Sequence, residues 1–340
     1  MKHFEFWNPR LFESPYYLYL AYLCLKHGLA PQNLAKANYA LDHGEIGIGS
    51  KLATQLAFDQ TRFLPSALVL DSSSQEQKAA QLEAFAERYS FPVILKPDMG
   101  CVGKGITKVK SKEHIRSITS SLSTDYIVQQ YTPNNIEFGV FYVRHSGRGR
   151  VTGINGKEFP AVIGDSKRSL QELAEAHPRF TAHWDLFLQY LDTSYVPADK
   201  EPFQLSFIGS HTMGCKFTND SHLLTPALEA EICTIADSQP GFNFGRLDVK
   251  SPSLEAFQRG DFVVIEVNGV ASLPTNMFDP EHSLRQGYRI FFEHARHLVQ
   301  AAAEQRHQPM ALLSGREILR KVQSSQQALN KAHDNSLARA

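Results

Sequence analysis

Cysteine is scarce in this chain. The four residues Cys24, Cys101, Cys215 and Cys233 form no CxxC pair and show no zinc-ligand spacing. That excludes a disulfide-stapled scaffold and a zinc module, and it points to free thiols in a reducing compartment, hence an expected cytoplasmic location. An excess of either charge is missing too: Lys plus Arg number 35 and Asp plus Glu 35, for a formal net charge of +0. No overall field draws the chain to nucleic acid or an anionic membrane, and no nucleic-acid partner is expected. No apolar run is long enough for a transmembrane segment. The most hydrophobic stretch, residues 16–25, is flanked by Glu13 and by Lys26-His27 and fits a buried helix at a subdomain surface; a peripheral membrane contact is the second reading. The start, Met1-Lys-His-Phe-Glu-Phe-Trp7, lacks the basic region and unbroken apolar core of a signal peptide. The chain has 14 histidines but no HExxH; Glu293-His-Ala-Arg-His297 has the wrong order and spacing and reads as a solvated helix face. Residues 44–51 nearly spell a phosphate-binding P-loop, but serine precedes lysine and no apolar strand leads in, so that reading fails.

What remains is a chain of 340 residues, enough for about two domains with a substantial core. Ser14-Pro15 is expected to open a first helix that Gly28 closes, and a second helix is expected from Ser50 towards Thr61. From residue 67 the pattern alternates: strand 67–70, helix 75–89, strand 91–95, strand 106–109, helix 112–122, strand 126–130. A turn at Pro133-Asn-Asn135 and a strand over 137–144 open a larger part. There, residues 145–157 are expected to be a glycine-rich basic loop between strands, followed by strand 161–163, helix 169–176, and strands 203–208 and 214–217. A helix over 226–237, two acidic strands and a closing helix over 281–304 complete the expectation, and the polar end from 323 to 340 reads as a frayed helix or tail. The class expected is α+β.

Two segments carry chemistry. In Pro92-Val-Ile-Leu-Lys-Pro-Asp-Met-Gly-Cys-Val-Gly-Lys-Gly-Ile-Thr-Lys-Val109, a buried-type strand ends in Lys96 and a loop follows with Gly100, Gly103 and Gly105. A lysine beside exposed backbone amides suits phosphate. In Phe244-Gly-Arg-Leu-Asp-Val-Lys250 and Phe262-Val-Val-Ile-Glu-Val-Asn268, the residues Asp248, Glu266 and Asn268 are oxygen donors on alternating apolar strands, as Mg²⁺ requires. Glu266 and Asn268 are two apart and share a face, as do Arg246 and Asp248. Val263-Val-Ile-Glu-Val-Asn-Gly-Val270 is too apolar for an exposed strand, and unpaired carboxylates inside it would be costly.

This order of motifs resembles the ATP-grasp superfamily, and within it the D-alanine–D-alanine ligase-like carboxylate–amine ligases. The resemblance covers roughly residues 50–300. It implies an α+β ATP-grasp fold in which two α+β subdomains clamp ATP, with a short N-terminal region: 1–65 as a helical pre-grasp region, 66–132 as the small subdomain, 133–305 as the large subdomain with the metal site, and 306–340 as the tail. It also implies roles. Lys51 and Lys96 would reach the nucleotide phosphates, with Gly100, Gly103 and Gly105 letting the backbone approach them. Gln129, Gln130, Tyr131 and Thr132 would form the hinge on the adenine edge, where many relatives carry glutamate in place of Gln130, and Glu137 would accept the ribose hydroxyls. Lys157 would be a mobile-loop lysine near the γ-phosphate, Arg246 would stabilise the acyl-phosphate and tetrahedral species, and Asp248, Glu266 and Asn268 would hold Mg²⁺ or Mn²⁺, as two ions.

The implied reaction is ADP-forming ligation of a small-molecule carboxylate to a small-molecule amine through an acyl phosphate. A kinase-like phosphotransferase and a nucleotide-binding protein without turnover stand as alternatives, and a homodimer is left open. Only a short region precedes the clamp, and Gly269-Val-Ala-Ser-Leu-Pro-Thr-Asn276 replaces the D-alanine ligases' acceptor pattern; both argue against D-alanyl-D-alanine as product. The acyl phosphate would need shielding from water, and residues 145–157 are the expected lid.

Overall fold

The structure, a computed structural model, describes residues 3–47, 49–99, 105–134, 136–177, 191–211, 214–321 and 323. Gly100, Gly103 and nearly all of the polar end lie outside the described residues.

Two antiparallel sheets organise the chain. The smaller has strands β1 (Ser66–Val69), β2 (Val93–Pro97), β3 (Thr107–Val109) and β4 (Tyr126–Gln130) in the order β1-β4-β2-β3. Helices Gln75–Tyr89 and Lys112–Ile118 cover one face, burying Leu82, Ala86 and Ile115 against Val69, Val93, Leu95 and Val128. The longer helix forms where Ser74 and Gln77 close a capping box, satisfying two of the amides left open at a helix start. Alternation along β2 then turns Ile94 and Lys96 to the other face, towards the second sheet.

The larger sheet has β5 (Ile136–His145), β6 (Arg148–Glu158), β9 (Lys216–Asn219), β10 (Phe244–Ser251) and β11 (Val263–Asn268) in the order β11-β10-β5-β6-β9; β7 (Ala161–Ile163) and β8 (Pro202–Gln204) pair separately. Phe138, Val140, Leu247, Val249, Val264 and Val267 face a core closed by helix Pro226–Asp237 and by Phe257 and Phe262. Phe138 stacks on Phe257 with ring centroids 4.0 Å apart, and burying one such ring stabilises by about 1.5–3 kcal/mol. The remaining alternate positions carry the polar residues. The helices Pro9–Lys26 and Leu284–Glu304 pack together at one end, where Tyr16 stacks on Phe291 at 4.0 Å. No helix among the described residues is long and apolar enough to cross a membrane.

Three expectations are corrected. The first helix begins at Pro9, capped by the Asn8 side chain, not at Pro15. Pro15 sits inside it because the carbonyl its missing N–H leaves open, that of Leu11, accepts from Ser14 Oγ at 3.0 Å. Residues 145–157 are no lid: the turn is Ser146-Gly147, with φ of 50° and 76°, and β6 starts at once and pairs along its length with β5. Two consecutive positive φ angles match the twist of a tight hairpin. The histidines of 293–297 are not solvated: His294 and His297 are buried, His294 bonding the Ser272 carbonyl at 2.8 Å and His297 meeting His145 at 3.3 Å.

Candidate active site

Strand register assembles one polar row on the face between the sheets. Across β10 and β11, Arg246 stands opposite Asn268 and Asp248 opposite Glu266. Across β10 and β5, Asp248 stands opposite Gly139 and Lys250 opposite Glu137; across β5 and β6, Glu137 stands opposite Lys157. Directly opposed residues share a face, so six charged side chains and Asn268 converge although they come from four strands. The cleft they line has a volume of about 580 Å³, within the range of small-molecule sites.

The contacts are dense. Arg246 chelates Asp248, Nε to Oδ1 at 2.7 Å and Nη2 to Oδ2 at 3.1 Å, and Asn268 Nδ2 approaches Asp248 Oδ2 at 3.5 Å. Lys157 lies 2.7 Å from Glu137 and 3.3 Å from Asp248, and Lys250 lies 3.4 Å from the other Glu137 oxygen. Glu266 accepts from Lys51. From the small sheet, Lys96 Nζ donates to Gln129 Oε1 at 3.2 Å and, across the cleft, to the Ile265 carbonyl at 3.0 Å. Burial acts on each charge. It pushes Lys96 below its ordinary pKa, with Glu266 only partly countering. For Lys157 burial pulls the same way, but Asp248 and Glu137 outweigh it and the ammonium is held above its usual range. Burial favours the acid form of Glu266, yet Lys51 and Lys96 win and pull it down to about 2. Around this row the cations Lys51, Lys96, Lys157, Arg246 and Lys250 outnumber the carboxylates Glu137, Asp248 and Glu266, so this part of the cleft suits a polyanion.

The structure brings together Lys51, Lys96, Glu137, Lys157, Arg246, Asp248, Glu266 and Asn268, with the strand end at Gln130, Tyr131 and Thr132 on the same cleft. Gln129 lines the same cleft; its side chain is buried and braces Lys96, itself held by Ser66 Oγ at 3.0 Å. Lys157 differs from its expected place, lying on a strand and not on a mobile loop. Gly105, at φ +74°, would bring a Cβ to 2.9 Å from Pro97, so Gly105 itself lies close against the end of β2.

Several neighbours were not apparent in the sequence. Asp98 accepts from the Leu52 amide at 3.0 Å and its carbonyl from the Lys51 amide at 3.2 Å, tying the helix Lys51–Leu56 to the end of β2. Its position in Lys96-Pro-Asp98 was the available signal. Gly139 gives the Arg246–Asp248 chelate its space, and Glu5, Trp7 and His211 line the far wall. Nothing in the local pattern flags these.

The donor set fits a hard divalent cation. Two carboxylates, Asp248 and Glu266, stand opposite each other with the Asn268 amide beside them, its nitrogen turned to Asp248, and no group of three or more histidine, cysteine or acidic side chains able to hold a metal occurs among the described residues. Mg²⁺ is characteristically held by one or two carboxylates together with substrate phosphates, not by an all-protein cage.

No protein-family model and no curated protein matches the sequence. Solved structures do resemble the fold. The D-alanine–D-alanine ligase from Bacillus anthracis is 11% identical, with 78% of this chain and 70% of that one covered at a TM-score of 0.44. The D-alanyl-alanine synthetase A from Vibrio cholerae is 13% identical, with 77% and 66% covered at 0.43. A bifunctional glutathione synthetase from Pasteurella multocida is 17% identical, with 72% of this chain but 36% of that one covered, at 0.37. At these scores the likeness is one of general arrangement only.

Proposed function

We propose that this protein is an ADP-forming ligase of the ATP-grasp type, joining a small carboxylic acid to an amine through an acyl phosphate. The observation that carries this reading is the row of Asp248, Glu266 and Asn268, set by strand register beneath Lys51 and Lys96. Residues 66–132 and 133–305 would be the two jaws, with 1–65 and 306–340 as flanking regions.

In this reading the triphosphate lies between the sheets. Lys96, short of counter-charge, and Lys51 receive its oxygens; Gln130, Tyr131 and Thr132 meet the base, and Glu137 accepts from the ribose. Asp248, Glu266 and Asn268 would hold Mg²⁺ or Mn²⁺, one ion or two, which when bound neutralises charge on the phosphates. A substrate carboxylate oxygen attacks the γ-phosphorus, the bond to the β-phosphate oxygen breaks, and ADP leaves. Positioning and charge stabilisation supply most of such catalysis. The amine nitrogen then attacks the acyl carbon and inorganic phosphate departs. Arg246 offers N–H donors to the oxyanion, and the Lys157 ammonium, kept charged by its neighbours, adds to the field.

Mg·ATP should therefore stabilise the protein. A ligand at a hundred times its Kd adds about 2.7 kcal/mol, read as a melting temperature several degrees higher in a thermal denaturation scan. Lys96→Ala should shrink that shift. The reading fails if millimolar Mg·ATP leaves the melting curve of the unaltered protein where it was.

A further inference from the structure

A carboxylate–imidazole pair stands on the far wall of the cleft, outside the machinery just described. Along β10 the order Lys250, Asp248, Arg246 runs away from Glu137 and the strand end at 130–132, towards loop 269–275 after β11 and the first residues of the chain. Glu5 belongs to the short turn Phe4–Phe6, pinned by Phe4, whose ring packs on Phe12 at 5.3 Å. The Glu5 side chain is only 1% exposed yet borders the cleft, and its Oε2 meets His211 Nε2 at 3.2 Å. The His211 ring is caged by Phe6, Phe217 and Phe278, with centroids at 6.0, 5.8 and 5.7 Å.

A carboxylate can only accept a hydrogen bond, so in the neutral ring Nε2 carries the proton and Nδ1 the lone pair. No hydrogen-bond partner of Nδ1 occurs among the described residues. A rigidly held imidazole with its basic nitrogen available, oriented by a buried carboxylate at the rim of a reaction cleft, is the arrangement that accepts protons in catalysis. Glu13 and Glu45 line the same cleft, where burial favours the acid form of both. The other charged groups on the elements around the ring are engaged elsewhere or on the same turn. Lys216 pairs with Glu158 at 2.9 Å, Asp279 accepts from the Asn219 amide at 2.7 Å, and His3 caps the Phe4–Phe6 turn.

We propose that His211 is the proton acceptor for the amine substrate and that Glu5 is its positioning residue. The assignment rests on the ligase reading. The amine arrives as R–NH3⁺ and gives one proton to His211 Nδ1, making imidazolium. The freed nitrogen pair forms the C–N bond at the acyl carbon as the C–O bond to phosphate breaks. Phosphate leaves, and the nitrogen's second proton passes to it or to water.

The test uses the full chain with Mg·ATP, a panel of proteinogenic amino acids, D-alanine and succinate as acid probes, and two small nucleophiles. Hydroxylamine is uncharged near neutral pH and needs no proton acceptor; methylamine is almost wholly ammonium. His211→Gln should lower methylamide formation by about 10²-fold or more, while hydroxamate formation changes little, which also shows that the variant folds. Glu5→Gln should lower methylamide formation while hydroxamate formation changes little, and Glu5→Asp, which keeps the carboxylate, should restore part of the methylamide rate. Equal loss of both products in His211→Gln would make the pair structural and overturn the assignment. So would loss of neither, or an unaltered protein that forms hydroxamate but no methylamide. If the unaltered protein forms neither product with any acid, the ligase reading itself fails and this assignment falls with it.

Discussion

Glu266→Gln should lower ATP turnover by about 10³-fold, the upper end for removing one electrostatic group from a preorganised site, while the fold survives. Glutamine keeps the size and the strand, and β11 is held by its main-chain register with β10 and by the buried Val264 and Val267. What goes is the charge. Glu266 is the partner of Lys51 and the main counter-charge to Lys96, and those two cations are what pull its own pKa down to about 2. Without it the proposed metal row retains one carboxylate, itself chelated by Arg246. The melting temperature without nucleotide should move by a few degrees at most, since the side chain is 23% exposed and water screens part of the loss. The enhancement of ATP binding by Mg²⁺, measured by titrating each together and apart, should disappear. Near-normal turnover in this variant would remove Glu266 from the metal role.

Gly139→Ala should be almost as damaging, though it adds one methyl group to a residue that has no chemistry. Its Cβ would lie 2.8 Å from Arg246 Cδ and 3.1 Å from Asp248 Oδ1, so the chelate must move. Both neighbours are pinned, Asp248 also by Lys157 and Asn268, and a displacement of about 1 Å at reacting groups can cost 10²-fold. Overpacking of this kind destabilises by about 1–3 kcal/mol. Turnover should therefore fall by about two orders of magnitude with a folded circular dichroism spectrum retained; an alanine variant with full ATP turnover would show that the chelate is not needed in this geometry.

Much of the framework was legible because strong local signals agreed with the tertiary outcome. Helix Gln75–Tyr89 has its capping box, helix Pro226–Asp237 has Thr225 and a proline at its start, and β4 and β7 carry unbroken β-rich runs. Asp248, Arg246, Glu266 and Asn268 were placed on shared faces by the two-residue period alone. Strand β6 was lost because Gly149, Gly153 and Gly156 read as loop. In the fold they mark close approach: a Cβ at Gly149 would meet the Tyr142 hydroxyl at 2.7 Å and one at Gly153 the Asn276 amide at 3.0 Å, and Gly156 faces Asp220 and Thr218 even more tightly. His294 and His297 were misread because histidine counts as polar in any periodicity, whereas here burial drives both pKa values down, to about 3 and about 4, and keeps the rings neutral inside the core. Glu5 meets His211 across 206 positions of sequence, a contact no local pattern announces.

The central claim is that a substrate carboxylate takes the γ-phosphoryl group, and oxygen transfer tests it most directly. The acid that supports ATP turnover would be supplied with oxygen-18 in its carboxyl group, together with its amine, and the products separated and weighed by mass spectrometry. An acyl-phosphate route leaves one labelled oxygen in inorganic phosphate, with ADP as the nucleotide product and the rest of the label in the amide. Label appearing in AMP, or unlabelled phosphate released alongside amide, would contradict it.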